Sequence, residues 1–477
     1  MLFSSNIFIF IFLPIVLFVY YFLLGKSRNL QNIFLFIASL FFYAWGEPKF
    51  VLIMLLSIIY NWLMGLLVNK YRDNNKISKL IIFVDVLGNL FIIFIFKYLM
   101  FTINNINSIF DLSLNVPNIA LPIGISFFTF QAISYVIDVY RGKGEAQSNL
   151  INVGLYISLF PQLIAGPIVR YETVSYEIKN RKENIDDFTD GVVRFIVGLG
   201  KKVIISNNMA LVADKAFNLI NSSSSPIEEI SILMSWLGAI SYTLQIYFDF
   251  GGYSDMAIGL GKMFGFHFLE NFNYPYISKS ATEFWRRWHI SLSSWFRDYV
   301  YIPLGGSRVN KYRHILNLFI VWLLTGIWHG ANWTFIIWGL MYFILLIIEK
   351  FTSFDIDCKN KKHNWIKHIY TMFFVIIGWV IFRSENVYVA LNYIKSMFGI
   401  GNIILFNDVF LSYIRQFFIY FVVGIIASSP ILKIAKRKLK NNIITNIIYI
   451  LFILIIFIIC ISFIVKGSYN PFIYFNF

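Results

Sequence analysis

The sequence predicts an all-α protein that crosses a membrane many times, and two observations support this fold class. Apolar residues make up 58% of the chain and charged residues only 14%, whereas an ordinary soluble domain has about 25% charged residues. Apolar runs such as 6–25 and 443–467 are each long enough to cross a hydrocarbon core of roughly 30 Å as a helix. Because such runs recur along the whole chain and no polar block is large enough to fold alone, we expect one integral-membrane domain, 1–477, with about 11–13 membrane helices.

The distribution of positive charge predicts the orientation of the chain. The net charge is +15, and lysines and arginines gather in short loops beside apolar runs. In a soluble protein this excess would suggest nucleic acid. Here the positive-inside rule explains it, so we expect a lipid bilayer around the protein and no nucleic-acid partner. The basic loop 69–79 is therefore predicted to be cytoplasmic, and both termini of this multi-pass cell-membrane protein are predicted to lie outside.

An interrupted apolar run follows the first five predicted spans, which lie near 6–25, 32–46, 50–68, 80–102 and 119–140. This run, 150–172, has basic residues on both sides and contains Pro161, Gly166 and Pro167. A helix that enters the membrane, breaks and returns fits it better than a full span. Since irregular backbone at membrane depth is tolerated only where it is buried in protein or lines a wet cavity, the break predicts an internal cavity.

The second half of the chain combines clear spans with a more polar region. The clear spans are predicted near 189–213, 230–249, 369–382, 408–430 and 443–466. The stretch 315–350 fits two further spans joined at the break HGAN. Polar residues interleave with aromatic residues throughout 250–313, so we expect interfacial or re-entrant helices there, on the cytoplasmic side.

His329, in the sequence TGIWHGANW, is the first candidate for chemistry. If its helix starts near residue 315 at the cytoplasmic face, His329 lies roughly 21 Å deep at about 1.5 Å per residue. An ionisable residue at that depth is a functional hypothesis by default, and Gly326 and Gly330 would let a substrate approach the backbone. The alternative is a structural histidine that is hydrogen-bonded between helices, for instance to Asn332.

His289 is the second candidate, and it lies in the stretch 284–306, FWRRWHISLSSWFRDYVYIPLGG. One interpretation is a histidine in an aromatic belt at the membrane interface, to which Trp285 and Trp288 would belong. The other is a functional histidine, and the pattern alone does not decide between them.

Three arginines of the same stretch are suited to an anionic group. Arg286, Arg287 and Arg297 could bind lipid headgroups or the phosphates of a carrier such as coenzyme A. Together with the neighbouring tryptophans they are our candidate donor-binding residues. Asp298 is expected to pair with Arg297 or with an arginine one turn earlier.

We expect the remaining ionisable residues to have structural and not catalytic roles. Asp249 lies between aromatic residues in YFDFGG, and a buried carboxylate must pair or be neutral. We therefore expect it to be the structural partner of an arginine and not a catalytic acid. The six histidines are scattered, none of them in an HxxxH or HExxH pattern, so we expect no metal site.

Two long motifs resemble the signature of the membrane-bound O-acyltransferase family: the stretch 284–306 and LTGIWHGANWTFIIWG (324–339). Within that family, YIPLGGSR, FPQLIAGPI (160–168) and YFDFGGYSDMAIGLGKMFGF (247–266) are similar to the branch of alginate O-acetylation proteins, the AlgI-like branch. The resemblance covers nearly the whole chain. It implies many membrane helices around a central tunnel, with re-entrant helices on the cytoplasmic side, and transfer of an acyl group from a thioester to a hydroxyl.

The resemblance also implies roles for the two histidines. The family's catalytic histidine falls on His329 and its other motif histidine on His289, so we expect the first to act as general base and the second to orient the donor or stabilise charge. No bound cofactor is implied. The branch takes acetyl groups from acetyl-CoA or another cytoplasmic acyl thioester for O-acetylation of a cell-wall or secreted polysaccharide, usually with an extracytoplasmic partner of the SGNH type.

Two alternatives stay open at this point. Within the same family, the chain could be a D-alanyl transferase that acts toward teichoic acid from a carrier-protein thioester. In another class, it could be a transporter of polysaccharide or lipid without covalent chemistry, which composition alone permits. Matched broken helices in two halves would support a transporter, and the sequence does not show them.

Overall fold

The computed structural model describes residues 1–221, 231–352, 354, 361–401, 403–438, 442–467, 469–471 and 473. Within these residues the regular structure is helical, apart from an isolated bridge between Ser231 and Ile404. Contacts group the chain into two compact units, one formed by Met1–Ile196 and Tyr253–Leu269 and the other by Val197–Gly252 and Glu270–Phe477. The expectation of a single domain stays a prediction, because contacts do not establish which part folds independently.

The first unit draws most of its helices from the N-terminal part of the chain. They are α1 (Leu13–Phe18), α2 (Arg28–Gly46), α3 (Val51–Lys70), α4 (Asn75–Ile93), α5 (Leu99–Phe110), α6 (Ile125–Arg141), α7 (Leu150–Ser158), α8 (Tyr171–Asn180) and the start of α9 (Ile185–Gly200). Turns of π-helix extend α1 on both sides, over Phe8–Phe12 and Val19–Leu23, and join α4 to α5 over Phe94–Tyr98. All five predicted N-terminal spans are therefore confirmed as helices.

A reciprocal amide pair links α3 to α4 inside this unit. Asn61 donates to the side-chain oxygen of Asn89 at 3.2 Å, and Asn89 donates back at 2.9 Å. Both side chains are fully buried. Such polar contacts stabilise helix pairs in a membrane, where lipid is as apolar as leucine and drives little association.

The predicted break after residue 150 is confirmed, and protein encloses it. Helix α7 ends at Ser158, α8 begins at Tyr171, and every residue of the irregular segment 159–170 is buried. Two of its backbone groups have side-chain partners: Phe160 N donates to Ser39 Oγ on α2 at 3.0 Å, and the carbonyl oxygen of Val169 accepts from the Tyr156 hydroxyl at 2.8 Å. These two backbone groups are therefore satisfied although they lie in a buried irregular segment.

The second unit holds the helices of the C-terminal part. They are α10 (Asn207–Asn221), much of α11 (Ile232–Met263), α12 (Ala281–Arg287), α13 (Ile290–Phe296), α14 (Lys311–His329), α15 (Trp333–Phe351), α16 (Lys361–Arg383), α17 (Val387–Met397), α18 (Asp408–Ala427), α19 (Ile431–Lys438) and α20 (Ile443–Val465). Turns of π-helix join α9 to α10 over Lys201–Ser206 and continue α13 over Arg297–Tyr301. The predicted spans in this half all coincide with helices.

One boundary was predicted wrongly. The span expected to end near residue 249 continues as α11 to Met263, through Gly251 and Gly252. These glycines do not break the helix but allow a close approach, since a Cβ on Gly252 would lie 2.7 Å from the carbonyl oxygen of Gly198. Beyond residue 263 the chain up to residue 310 is irregular apart from a 3₁₀ turn, the short helices α12 and α13 and the π-helical continuation of α13. The interfacial or re-entrant placement of this region on the cytoplasmic side stays a prediction.

Helices α14 and α15 form the predicted hairpin, joined by residues 330–332. Two glycines set their separation. A Cβ on Gly326 would lie 2.6 Å from the carbonyl oxygen of Phe335, and one on Gly339 would lie 2.6 Å from that of Trp322. Any side chain at either position would push the helices apart, so the hairpin depends on small residues as membrane helix pairs commonly do.

Seven helical segments among the described residues are long and apolar enough to cross a membrane. With the helical secondary structure, they confirm the all-α polytopic class. The number of about 11–13 membrane helices stays a prediction. The side of the membrane on which each terminus lies stays a prediction.

Candidate active site

His329 is the last residue of α14 and lies in a box of aromatic rings within the second unit. Its ring centroid is 5.0 Å from that of Trp338 and 5.1 Å from that of Phe382, both in edge-to-face geometry, and 5.0 Å from that of Trp328. Only 4% of His329 is exposed. The sequence produces this box because α14 ends at the histidine and α15 turns back over it, which brings Trp338 alongside.

His289 occupies the joint between the short helices α12 and α13. Its backbone is left-handed, with φ 45° and ψ 53°, a conformation that costs a non-glycine residue roughly 1–2 kcal/mol. The segment before α12 holds the joint from both sides. Asn273 N donates to the carbonyl oxygen of Arg287 at 2.9 Å, and Ile290 N donates to that of Asn271 at 2.9 Å.

The side chain of Asn271 continues this support up to the imidazole. Its Oδ1 lies 3.1 Å from His289 Nδ1 and accepts from Ser291 twice, from the backbone N at 3.2 Å and from Oγ at 2.8 Å. All three side chains are buried, each about 1% exposed. Asn271, His289 and Ser291 therefore form a compact polar cluster that is surrounded by aromatic side chains.

Trp328 lies between the two histidines. Its ring centroid is 6.0 Å from that of His289 and 5.0 Å from that of His329. Phe250 packs edge-to-face on His289 at 4.6 Å. Burial, with a further contribution from the nearby His329, holds the pKa of His289 well below its ordinary value, so at neutral pH this imidazole is uncharged.

A buried carboxylate fixes the helix that leads into His289. Glu349, near the end of α15 and 1% exposed, accepts from Ala281 N at 2.6 Å and from Thr282 N at 2.9 Å. It also accepts from the Thr282 hydroxyl at 2.8 Å. A carboxylate at a helix N-terminus satisfies free N–H groups and favours the helix dipole, so α15 holds α12 in place.

The three candidate arginines have different environments. Arg286 is exposed and, with Arg297, lines a cleft of about 360 Å³ that also contains Thr282, Trp285, Ile290, Ser293, Ser294 and Leu346. Arg287 instead bonds Glu283, with Nη2 to Oε1 at 2.8 Å, and donates to the carbonyl oxygen of Asn273 at 3.1 Å. Its contacts therefore stabilise the helix, and Arg286 and Arg297 are the arginines at the cleft.

Asp298 pairs with Arg297, which was one of the two predicted partners. Arg297 Nε lies 2.7 Å from Asp298 Oδ1, and Nη2 lies 3.0 Å from Oδ2. Arg297 also lines a second cleft of about 600 Å³, together with Tyr301, Ile302, Gly305, Gly306, Ser307 and Arg308. The neighbouring clefts thus share one guanidinium.

The two candidate tryptophans also differ in whether they line the 360 Å³ cleft. Trp285 lines the 360 Å³ cleft, and its ring centroid lies 4.9 Å from that of Trp322 and 5.4 Å from that of Trp338. Trp288 does not line that cleft. It is 2% exposed and packs 4.8 Å from Trp379, so its rings belong to the aromatic core that supports both histidines.

Asp249 forms a buried ion pair, and its partner is a lysine and not the arginine expected from the sequence. Its Oδ1 lies 2.5 Å from Lys202 Nζ, and its Oδ2 accepts from Ile473 N at 2.9 Å. Lys202 also donates to the carbonyl oxygen of Pro471. This buried pair therefore holds the C-terminal segment, and the pattern missed it because Lys202 lies 47 residues earlier in the chain.

Asn332 caps a helix. Its Oδ1 accepts from Thr334 N at 3.1 Å, which makes it the N-cap of α15, and its Nδ2 donates to the carbonyl oxygen of Glu385 at 2.6 Å. The bond to His329 considered from the sequence is thus replaced by contacts that begin α15. Among the described residues, no group of three or more His, Cys, Asp or Glu could hold a metal ion.

Asn271 and Glu349 were not singled out from the sequence. A lone asparagine in LENFNYPY and a glutamate at the end of an apolar run carry no motif of their own. Glu349 gave a weak signal, because an acidic residue within or beside a membrane helix requires a partner. Their roles depend on contacts with residues at least 18 positions away.

Several known proteins are similar in sequence to this chain. Residues 37–391 match the family model described as MBOAT, membrane-bound O-acyltransferase family. The chain is 45% identical to the probable alginate O-acetylase AlgI of Pseudomonas syringae pv. tomato, over 84% of this chain and 76% of the relative. It is 35% identical to the peptidoglycan O-acetyltransferase of Helicobacter pylori, over 84% of this chain and 81% of the relative. A teichoic acid D-alanyltransferase of Bacillus subtilis is 31% identical, over 55% of this chain and 69% of the relative.

Proposed function

The chain belongs to the membrane-bound O-acyltransferase family, and from that premise we propose that it transfers acetyl groups from a cytoplasmic thioester for O-acetylation of a cell-wall or secreted polysaccharide. Family membership makes it an O-acyltransferase and a multi-pass membrane protein, so a transporter without covalent chemistry is set aside. The acetyl group, its cytoplasmic source and the residues that move it are the proposal.

The observation that carries the proposal is the pair of buried histidines on either side of Trp328. His289 and His329 come from motifs 40 residues apart, yet both rings contact the same indole. Two imidazoles enclosed by aromatic rings form a site with little competing solvent. Such surroundings strengthen electrostatic interactions with a developing oxyanion and limit hydrolysis of an activated donor.

His329 acts as general base in the proposed step. The acceptor hydroxyl oxygen attacks the thioester carbonyl carbon, and the hydroxyl proton passes to the imidazole of His329. The carbonyl oxygen becomes a transient oxyanion; then the C–S bond breaks and the departing thiolate takes the proton back from His329. Histidine is suited to both transfers because its ordinary pKa lies near neutral pH.

The donor is proposed to be acetyl-CoA or another acyl thioester of an anionic carrier. The cleft of about 360 Å³ presents Arg286 and Arg297 with the hydroxyls of Thr282, Ser293 and Ser294. Guanidinium groups and hydroxyls are the usual protein partners of phosphate. Trp285 lines this cleft and also packs against Trp338 of the His329 box, which would bring a thioester at the cleft close to the site.

The acceptor side is proposed from the relatives. Several are named for acetylation of alginate or peptidoglycan, polymers with free hydroxyls. An extracytoplasmic protein of the SGNH type would receive the acetyl group and pass it to the polymer, or a sugar hydroxyl would receive it directly. Both routes use the same attack on the thioester.

A D-alanyl transferase is the second candidate, because a relative with that name shares 31% identity with this chain. The alignments favour acetyl transfer. The alginate and peptidoglycan relatives align over 84% of this chain, whereas the D-alanyl transferase aligns over 55%.

The test uses purified full-length protein in vesicles with radiolabelled donor. Labelled acetyl-CoA should yield transfer to an added polysaccharide hydroxyl or to a partner serine, and His329→Ala should reduce that transfer at least about 100-fold, the usual contribution of a general base. Transfer of D-alanine from a carrier-protein thioester, with none of acetyl, would establish the second candidate. Near-normal transfer by folded His329→Ala protein would overturn the assignment of the base.

A further inference from the structure

We propose that Asn271 is a positioning residue that fixes His289 as the tautomer protonated on Nδ1, so that Nε2 presents a lone pair and His289 works as a hydrogen-bond acceptor. This inference rests on the proposed function, because it assigns His289 its part in the same acyl transfer. It decides between the two roles considered for His289, orienting the donor and stabilising negative charge.

The first step identifies the atom of Asn271 that faces the imidazole. Asparagine oxygen and nitrogen have the same shape, but a backbone N–H can only donate. Ser291 N points at this atom from 3.2 Å, so the atom is the carbonyl oxygen, Oδ1, and accepts.

The second step places the proton of His289. An amide oxygen cannot donate, so the 3.1 Å contact between Oδ1 and His289 Nδ1 is a hydrogen bond only if Nδ1 carries a proton. Ser291 Oγ also lies 3.5 Å from His289 Nδ1, but its single hydrogen is donated to Asn271 Oδ1 at the shorter distance of 2.8 Å. A neutral imidazole with its proton on Nδ1 has its lone pair on Nε2.

The third step is that the fold maintains this arrangement against strain. The left-handed backbone at His289, with φ 45°, is unfavourable for a residue with a side chain. It is maintained by backbone bonds from the same segment that carries Asn271, namely Ile290 N to the Asn271 carbonyl oxygen and Asn273 N to the Arg287 carbonyl oxygen, both 2.9 Å. Strain that persists at a buried site is typical of a residue whose orientation matters for function.

The consequence is a specific role. A neutral imidazole with a bare Nε2 cannot donate a hydrogen bond to an oxyanion through that atom. It can accept one from an amide N–H of the donor's carrier arm or from the acceptor hydroxyl. His289 therefore orients a substrate, and stabilisation of the oxyanion falls to other groups.

The experiment is the pH profile of acetyl transfer for Asn271→Asp in the full-length protein. The carboxylate keeps an acceptor for Ser291 and for Nδ1, but its charge stabilises the imidazolium, so His289 should stay protonated to higher pH. An opposite charge at this distance shifts a pKa by about 1–3 units. The acid limb of the profile should move upward by at least about one pH unit, with activity recovered at alkaline pH. Asn273→Asp, the same change at an exposed side chain two residues on, should leave the profile in place.

A second pair of variants tests the tautomer without a change at Asn271. In His289→Asn the amide can replace Nδ1, and in His289→Gln the amide oxygen can replace Nε2. The glutamine variant should retain more activity than the asparagine variant. The reverse order, an unmoved acid limb in folded Asn271→Asp, or an equal shift in Asn273→Asp would each overturn the inference. The proposed function fails separately, by the absence of acetyl transfer in the unaltered protein, so the two failures are distinguishable.

Discussion

His289 and His329 both pack against Trp328 but are held by different kinds of contact. His289 lies on a strained joint and is bonded to Asn271, whose oxygen also binds Ser291. His329 ends a regular helix, and the rings of Trp338 and Phe382 enclose it. Hydrogen bonds specify which nitrogen carries a proton, whereas ring packing specifies position and burial.

This difference suits the two separate roles that we propose for the histidines. A substrate-orienting group benefits from one fixed tautomer, since its hydrogen bond must have the same direction in every turnover. A general base must gain and lose a proton in each cycle, and a box of rings holds its position through both states. The predictions below remove one kind of support at a time.

The largest expected effect on stability follows from opening the aromatic box. Trp338 is fully buried and packs on His329, Trp285 and Phe382, so Trp338→Ala should cost about 3–5 kcal/mol and release His329. Thermal unfolding in detergent and acetyl transfer would measure both losses. Trp338→Phe is the matched control, since the indole nitrogen has no hydrogen-bond partner among the described residues. An alanine variant as stable as the phenylalanine variant would contradict the packing account.

The next effect concerns the helix that leads into His289. Glu349→Ala leaves Ala281 N and Thr282 N without their acceptor, and we expect a loss of roughly 2–3 kcal/mol. Glu349→Gln keeps one acceptor oxygen and should lose less. Unfolding midpoints give the order of the two variants, and a glutamine variant less stable than alanine would refute the capping role.

A smaller effect is expected at the donor cleft. Arg286→Ala should raise the KM for acetyl-CoA about tenfold, equal to about 1.4 kcal/mol, while kcat changes little. Arg287→Ala is the control, because its guanidinium bonds Glu283 and should affect stability in place of KM. Equal KM values for the two variants would remove Arg286 from the donor site.

The smallest effect comes from an exposed histidine in the other unit. His267 Nδ1 lies 2.8 Å from Glu177, and its Nε2 lies 3.2 Å from Asp187. Partial burial lowers the pKa of His267, but the two carboxylates outweigh burial and the net pKa is raised. The stabilisation is therefore complete below the ordinary pKa of about 6.5 and is lost as the pH rises through the raised value.

His267→Gln should accordingly lower the unfolding temperature at pH 5.5 more than at pH 8.5. The difference should correspond to less than about 1 kcal/mol, because exposed ion pairs contribute little. A loss that is larger at pH 8.5 would contradict the sign. Burial lowers the pKa of His289, whereas two carboxylates stabilise the charged form of His267.

The sequence predicted the helices and both histidines because each has a local signal. Apolar runs of sufficient length mark spans, the sequence HGAN marks the hairpin, and a histidine deep in such a run is conspicuous. The left-handed conformation of His289, the oxygen of Asn271 and the cap at Glu349 could not be predicted, because each is a contact between segments. The extension of α11 through Gly252 was missed for a related reason. The sequence does not distinguish a glycine that ends a helix from one that allows another helix to pack closely.

The most direct test of the roles proposed for the two histidines is a single-turnover measurement on His329→Ala and His289→Gln in the same vesicles. Donor binding is measured in parallel. The account predicts that His329→Ala binds acetyl-CoA with a normal Kd but transfers at least about 100-fold more slowly. His289→Gln should weaken productive binding and slow transfer much less. Transfer by His329→Ala within about threefold of the unaltered enzyme, or a greater loss in His289→Gln than in His329→Ala, would contradict it.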